Sequence, residues 1–383
     1  MTPKDYIKNK NFCPMPWTGL MYNFDGTVKN CIRSAKPIGN IKNNSIQAIV
    51  NGSENVQTRT NMLNNQPGSR CYPCYDLEQS RSSLDIISDR VFYLREFKSV
   101  PLSTYSSAEN FDLQTIDVRW SNLCNFACVY CYPEFSSRWE QELGVKLQTP
   151  LEQSQKQFAD YIYSNIENLK HVYLAGGEPL LIKENFDLLQ ALKTHNPNVK
   201  LRINTNLSKV DTRVFELACS FANVHWTVSL ETIEDEYEYI RYGGKWADFI
   251  ENLNIIDQLD HKISFNMLHL LLNYWSIFDC VDFLKARGFH NNSFIIGSLL
   301  QPLYLNVRHL PHSVLESLKH ELQSRINQKP GFLLENSYRN ILNYLDEPIE
   351  KNLAESFQQL KLLDQRRGLD STKIFKELYN YGN

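Results

Sequence analysis

Three cysteines stand on one short stretch, Cys124-Asn-Phe-Ala-Cys128-Val-Tyr-Cys131, in a C-x3-C-x2-C spacing. Soft thiolates this close together suit zinc or an iron–sulfur cluster. Three ligands for a four-iron cubane leave one iron without a protein ligand. An open metal position is what a catalytic site requires and a structural site avoids. A second motif, Ala175-Gly176-Gly177-Glu178-Pro179, places its first glycine 45 residues after Cys131. Paired glycines let the backbone approach a small ligand, and the Glu178 carboxylate can accept hydrogen bonds from an ammonium group. Alone, the cysteine loop could hold zinc and GGEP could be a helix-capping turn. The combination is what is specific.

Four further cysteines form a separate set: Cys13-Pro-Met-Pro-Trp17, Asp25-Gly26 before Cys31, Gly39-Asn40-Ile41, and Cys71-Tyr-Pro-Cys74. Thiolates from a hairpin and a C-x2-C turn could fill every corner of a metal site, and by spacing zinc and iron–sulfur are both open. Trp17, Tyr72 and Tyr75 lie beside these cysteines and are expected to shield them. Cys219 and Cys280 fall among apolar neighbours in predicted helices and read as packing. The nine histidines show no ligand-type spacing, and His171 and His225 at strand starts read as structural.

The CNFACVYC loop followed by GGEP resembles the radical S-adenosylmethionine (SAM) superfamily. The resemblance covers about residues 115–300. It implies a [4Fe–4S] cluster on Cys124, Cys128 and Cys131, with SAM chelating the free iron. It also implies that Tyr130 lies beside the adenine and that Gly176, Gly177, Glu178 and Pro179 bind the methionine amine. Looser matches give Asn204 and Asn206 a polar contact to SAM, Ser229 and Glu231 the ribose hydroxyls, and Arg241 the SAM carboxylate. No glycine motif of the family's fifth strand is visible in Ile263–Leu270. The Cys13, Cys31, Cys71, Cys74 set resembles a SPASM/twitch auxiliary domain, in the shorter form that carries one auxiliary [4Fe–4S] cluster. Such domains commonly follow the barrel, whereas this set precedes it.

The elements that must position these residues can be read from hydrophobic period and turn chemistry. Gly19–Phe24 and Thr27–Ile32 around Asp25-Gly26 read as a β-hairpin. An amphipathic helix is expected over Leu84–Phe97. Strands are expected at Thr115–Ser121, His171–Ala175, Lys200–Thr205, Val224–Leu230, Lys262–Leu270 and Phe294–Leu300. Helical stretches at Gln153–Leu169, Lys183–Thr194, Asp211–Phe221, Trp246–Leu259 and Tyr274–Arg287 separate them. Six alternations favour an α/β fold with a parallel sheet, and the resemblance makes it a partial (β/α)6 TIM-like barrel. Residues from about 311 read as helical cover, with amphipathic stretches at Ser313–Ile326 and Lys351–Asp364. The expected division is 1–80 auxiliary iron–sulfur domain, 81–114 connector, 115–305 barrel and 306–383 helical extension.

Composition sets the outer bounds. The chain has 383 residues, 42% hydrophobic and 22% charged, with a formal net charge of −3. That is globular, and nothing in it points to nucleic acid or an anionic membrane as partner. No apolar run reaches the roughly 18 residues needed to span a bilayer. MTPKDYIKNKNF lacks the apolar segment of a secretory signal, so a soluble cytoplasmic protein is expected. The resemblance implies an enzyme that cleaves SAM reductively and abstracts hydrogen from a substrate, fed by a donor such as flavodoxin or ferredoxin. An auxiliary cluster favours oxidative modification of a peptide or protein side chain, as in maturases of ribosomally made peptides. A dehydrogenase of sugars or aminocyclitols, and a non-catalytic iron–sulfur or zinc protein, are the rival readings.

Overall fold

The computed structural model describes residues 11–79, 88–97, 105–149, 152–350 and 352–382. The chain divides into two compact units. One comprises Met1–Leu123, Lys146–Ile203 and Asp211–Val224, and the other Cys124–Val145, Asn204–Val210 and His225–Asn383.

In the first unit the strands are β1 (Gly19–Asn23), β2 (Thr27–Lys29), β3 (Gly39–Asn40), β4 (Thr115–Arg119), β5 (His171–Leu174) and β6 (Lys200–Thr205), hydrogen-bonded in the order β3-β2-β1-β4-β5-β6. The Asp25-Gly26 turn forms as its chemistry demands. Gly26 takes φ +87°, and the Asp25 carboxylate accepts from the Thr27 N–H and hydroxyl, each at 2.9 Å. β1 then runs parallel to β4 from Gly19↔Thr115 to Asn23↔Arg119. The hairpin is thus continuous with the parallel sheet and takes up the backbone groups that β4 would otherwise present at an edge. Tyr22 anchors it, fully buried and stacked on Phe158 with ring centroids 4.6 Å apart. Phe158 belongs to the helix Glu152–Ser164.

The second unit carries β7 (Val224–Ser229), β8 (Lys262–His269) and β9 (Phe294–Ser298), parallel and in sequence order. Each of the six expected strands is present, ending up to two residues early. Helices Glu152–Ser164, Lys183–His195, Arg213–Cys219, Trp246–Asp257 and Ser276–Ala286 fall between strands where expected. The strand–helix sequence is the one a partial (β/α)6 barrel requires. Helices His312–Asn327, Phe332–Asp346 and Leu353–Arg367 form the C-terminal region. The middle one lies within the expected helical cover but outside its two amphipathic stretches, and its buried stripe includes the polar tips of Ser337, Tyr338 and Tyr344.

Two N-terminal helices also escape the sequence pattern. Ile46–Val50 is apolar but only five residues long, and Ser53–Leu63 carries few apolar residues. The second is organised round Arg59, wholly buried, whose guanidinium reaches the carbonyls of Pro16 at 3.2 Å and Val50 at 3.1 Å. Of the expected helix Leu84–Phe97, Asp89–Glu96 is helical behind an N-cap on Ser88, and residues 84–87 lie outside those described. No helix among the described residues is long and apolar enough to cross a membrane.

Candidate functional site

The cysteine loop lies in the second unit and is held by backbone first. Ala127 and Val129 donate to the carbonyls of Tyr242 and Ile240, both at 2.8 Å. Gly243 makes this approach possible: it sits at φ +105°, and a Cβ there would come within 2.9 Å of the Asn125 carbonyl. The serines that follow fasten the loop's start. Ser136 Oγ donates to Phe126 O at 2.5 Å, and Ser137 Oγ meets the N–H and carbonyl of Cys124 at 3.1 and 3.2 Å. Trp139 Nε1 donates to the Cys128 carbonyl at 2.8 Å. From the C-terminal region, Arg367 is buried between the rings of Trp139 and Tyr242, 4.6 and 4.3 Å from their centroids, and pairs with Glu142 at 3.1 Å. Tyr304 donates to the Val129 carbonyl at 3.3 Å.

Cys128 is buried, and Cys124 and Cys131 are half-buried. Burial pushes the Cys128 thiol up, Arg241 pulling it back and Glu231 adding to the rise. Burial also raises Cys131, and the neighbouring Cys128 and Cys124 raise it further. Thiols gathered this way, with Cys131 opposed by both of the others, are a donor set that a metal cluster completes, because its positive charge replaces the protons.

The structure brings Tyr130, Glu231 and Arg241 together. Arg241 grips Glu231 with two hydrogen bonds at 2.6 and 2.8 Å, both side chains no more than 3% exposed. Tyr130 donates to Glu231 Oε1 at 3.0 Å. The polar groups that the resemblance directs to ribose and carboxylate are therefore engaged with each other here. Asn273, wholly buried, donates to the carbonyls of Glu231 and Leu268, both at 2.9 Å, and so ties the ends of β7 and β8. Asn206 supports the loop rather than pointing elsewhere: its amide meets Asn125 Oδ1 at 3.1 Å and lies 3.9 Å from Cys124 Sγ. Asn204 differs, since its buried Oδ1 has no hydrogen-bond partner in the structure. An orphan acceptor at a strand end fits a ligand donor. Ser229 ends β7, half-buried.

The GGEP turn lies in the first unit. A Cβ on Gly177 would stand 2.1 Å from the Leu123 carbonyl, and one on Gly176, at φ +117°, 2.9 Å from Ser121 O. The room left by the absent side chains is taken by the chain's own backbone, just before Cys124. Gly177 and Glu178 donate to the Ser121 and Leu123 carbonyls at 3.2 and 2.7 Å. Glu178 is wholly buried and caps the turn Pro179–Leu181 by accepting from Leu180 N at 3.2 Å.

The second cysteine set closes on a small cavity in the first unit. Cys13, Cys31, Cys71 and Cys74 all line it, with Arg33, Arg90 and Tyr93. Burial raises all four thiols, Cys71 to about 12, and mutual repulsion adds to the rise for Cys13, Cys31 and Cys71. Sulfurs spread round a cavity, with two guanidiniums in its wall, fit an anionic cluster several ångströms across. Arg90 pairs with Glu78 and donates to the Phe12 carbonyl at 3.0 Å, so it locks helix Asp89–Glu96 over the site. Trp17 and Tyr75 are buried as expected, but Tyr72 is 53% exposed and shields nothing. Being next to Cys71, it points outward from the first turn of its helix.

Ser136, Ser137, Trp139 and Gly243 at the loop, and Asn273 at the ends of β7 and β8, were not anticipated. The doubled Ser136-Ser137 and Gly243-Gly244 are the sequence signals that could have shown them.

Two family profiles match the chain. Residues 118–296 match the radical SAM superfamily and residues 13–75 an iron–sulfur cluster-binding domain. Among curated relatives, the GTP 3′,8-cyclase of Campylobacter lari is 22% identical over 43% of this chain and 49% of its own length. That of Nautilia profundicola is 29% identical over 45% and 53%. The chain spans about half the length of the curated relatives it matches. Among solved structures, Streptococcus suis SuiB bound to precursor peptide SuiA superposes with TM-score 0.41 at 16% identity, over 72% of this chain and 64% of that one. Native anSMEcpe with bound AdoMet gives 0.41 at 15%, over 54% and 60%.

Proposed function

The chain belongs to the radical SAM superfamily and carries an iron–sulfur cluster-binding domain at its N-terminal end, and from that premise we propose that it catalyses the oxidative modification of a peptide or protein side chain. The observation that carries this reading is the pair of cysteine sets, one with three thiols and one with four, each held in its own frame. Cys124, Cys128 and Cys131 would hold the cluster, which would supply the electron for reductive cleavage of SAM and so the means of removing one hydrogen atom from the substrate. Cys13, Cys31, Cys71 and Cys74 would hold a second cluster, which would offer an acceptor for the electron that the substrate gives up, with a proton, in an oxidative outcome.

The chain's own residues orient and enclose. Cys124, Cys128 and Cys131 are set by the backbone of residues 240–244 and by Ser136 and Ser137. Tyr130 is fixed by Glu231, and Glu231 by Arg241, so the aromatic beside the third cysteine has one orientation in which to meet an adenine. Asn204 and Ser229 offer an acceptor and a hydroxyl at strand ends, the place where ligands of such folds collect. Gly176, Gly177, Glu178 and Pro179 form a turn whose close seat beside Ser121–Leu123 sets the entry to the cysteine loop. A flavodoxin- or ferredoxin-like donor provides the first electron.

A second reading is favoured by the GTP 3′,8-cyclases among the relatives: a nucleotide triphosphate substrate. Anaerobic reconstitution tests both. The reading requires about eight irons per chain, an EPR signal that shifts when SAM is added, and 5′-deoxyadenosine on reduction. Loss of 5′-deoxyadenosine in a Cys124→Ala, Cys128→Ala, Cys131→Ala variant is expected, and its persistence overturns the radical reading. Zinc in place of the second cluster would remove the electron acceptor and with it the oxidative outcome. Cyclised product from GTP would establish the second reading.

A further inference from the structure

The chain leaves β8 through a single turn, Leu271–Asn273, and sets two aromatics, Tyr274 and Trp275, in front of the helix Ser276–Ala286. A residue in the place of Trp275 usually caps the helix with a side-chain oxygen. The indole caps nothing and stays 39% exposed. It is nonetheless fixed, edge-on against the buried Phe278 with ring centroids 5.8 Å apart. Tyr381 meets the buried Tyr274 in the same way, centroids 6.2 Å apart and hydroxyls at 3.4 Å. Together with Glu377, and with Ser313 and Ser317 of the helix His312–Asn327, these three rings line an open cleft of about 320 Å³. All of these residues belong to the second unit.

The charge around the cleft has one sign. No described residue lining it is basic. Glu377 is exposed, and no described Lys or Arg pairs with it. Burial raises the carboxyl of Glu236, the hydroxyls of Ser276 and Thr232 lower it, and Asp279 and Glu377 raise it again. Glu377 and Glu236 both act on the Tyr274 phenol, which burial and Tyr381 already raise. The cations of the flanking helix are engaged elsewhere, Lys319 with Glu316 and Asp346, and Arg325 with Asp282 and Glu321. His312 lies 3.8 Å from Glu316, and the exposed Lys376 is not part of the wall. The cleft is also tied to the strand ends. Thr232, directly after Glu231, donates to Glu236 Oε2 at 2.9 Å, as does Ser276, and Asn273 joins the ends of β7 and β8. Ligands of such folds collect at these ends.

We propose that Tyr274, Trp275, Tyr381 and Glu377 form a recognition pocket for one cationic side chain of the substrate, a Lys or Arg of a peptide. This rests on the peptide reading above. A cation is drawn to the face of an aromatic ring within about 6 Å of its centre. Ammonium and guanidinium groups only donate hydrogen bonds, and the Glu377 carboxylate with the phenol and serine oxygens supplies acceptors. A triphosphate would meet repulsion here and no basic side chain.

The test uses trifluoroacetyl-capped pentaglycine amides whose central residue is replaced by Lys, Arg or norleucine, titrated against the reconstituted protein with SAM. Fluorine line broadening of the cap reads the dissociation constant of each peptide. The Lys or the Arg peptide is expected to bind roughly tenfold more tightly than the norleucine peptide, which has the bulk without the charge. Glu377→Gln should abolish most of that preference. Trp275→Phe, which keeps an aromatic face, should retain it, and Trp275→Leu, which keeps only apolar bulk, should lose it. Should Trp275→Leu lower the melting temperature, Glu377→Gln, at an exposed position, decides the question. Equal binding of the three peptides, no binding of any, or a preference that survives Glu377→Gln overturns the pocket. So does GTP that displaces the Lys peptide and loses its own binding in Trp275→Leu, which would give the cleft to a nucleotide base. Formation of 5′-deoxyadenosine by the unaltered protein is scored separately: its absence overturns the radical reading and leaves a measured preference for the cation intact.

Discussion

At the scale of single residues, the Glu231–Arg241 pair is the most costly feature to disturb. Two buried opposite charges stabilise little as a pair, but removing one leaves the other unpaired in a dry site, at about 3–5 kcal/mol. Glu231→Gln should therefore lower stability by about that amount, whereas Tyr130→Phe, which deletes one hydrogen bond to a charged acceptor, should cost about 1.5–3 kcal/mol. Denaturant midpoints of the two variants check the ranking, and equal effects would mean that Arg241 finds another partner. Gly177→Ala tests the turn. Its methyl would meet the Leu123 carbonyl, a backbone atom that cannot swing away. Equilibrium dialysis with labelled SAM should show binding weakened at least about tenfold, a change of about 1.4 kcal/mol. The methionine-amine role of Glu178 stands or falls with the same measurement on Glu178→Gln.

At the scale of elements, the alternation of strands and helices was legible because the strands carry apolar residues at a period of two, as in Ile116/Val118 and Leu201/Ile203, and the helices a stripe. The cysteine motifs were legible because sulfur spacing is local. What could not be read is what joins distant segments. Nothing in Gly19–Asn23 announces that its parallel neighbour is Thr115–Arg119, since pairing leaves no trace in either segment alone. Arg59 hid a helix, because a buried arginine looks like a surface one in sequence. Glu231 and Arg241 were read separately as ligand contacts, and only three-dimensional proximity shows them as each other's partners. The β1 pairing itself is open to test. Tyr22→Ala, which removes a wholly buried ring stacked on Phe158, should cost about 3–5 kcal/mol. Because β1 leads directly into the Cys31 hairpin, the variant should also lose iron from the four-cysteine site before the three-cysteine site, as read by iron analysis after mild denaturant.

At the scale of the whole molecule, acid is the expected weakness. Burial holds the imidazole of His269 neutral down to about 4, against an ordinary 6.5, with its Nε2 toward the Tyr274 carbonyl at 3.0 Å. The unfolded chain takes up a proton below 6.5 that the folded chain refuses until about 4. Stability from this source is complete above pH 6.5 and is lost as pH falls through that window, by about 2 kcal/mol between pH 7 and 5. His171, also held near 4 by burial, adds in the same direction. Chemical denaturation at the two pH values measures the drop, and His269→Gln, which does not titrate, should shrink it. An unchanged drop would locate the acid sensitivity elsewhere.

The seat of Arg367 between Trp139 and Tyr242 carries a consequence for how the protein is made. The cysteine loop leaves the ribosome more than two hundred residues before the arginine that steadies the segment behind it. A nascent chain thus displays three exposed thiols on a loop whose final brace does not yet exist. Lasting metal insertion at that loop is expected only once the helix Leu353–Arg367 has been made, so a chain stopped before Leu353 should hold iron poorly at Cys124, Cys128 and Cys131, as read by iron analysis. Quality control is in effect written into the helix Leu353–Arg367, without which a copy fails to arm itself.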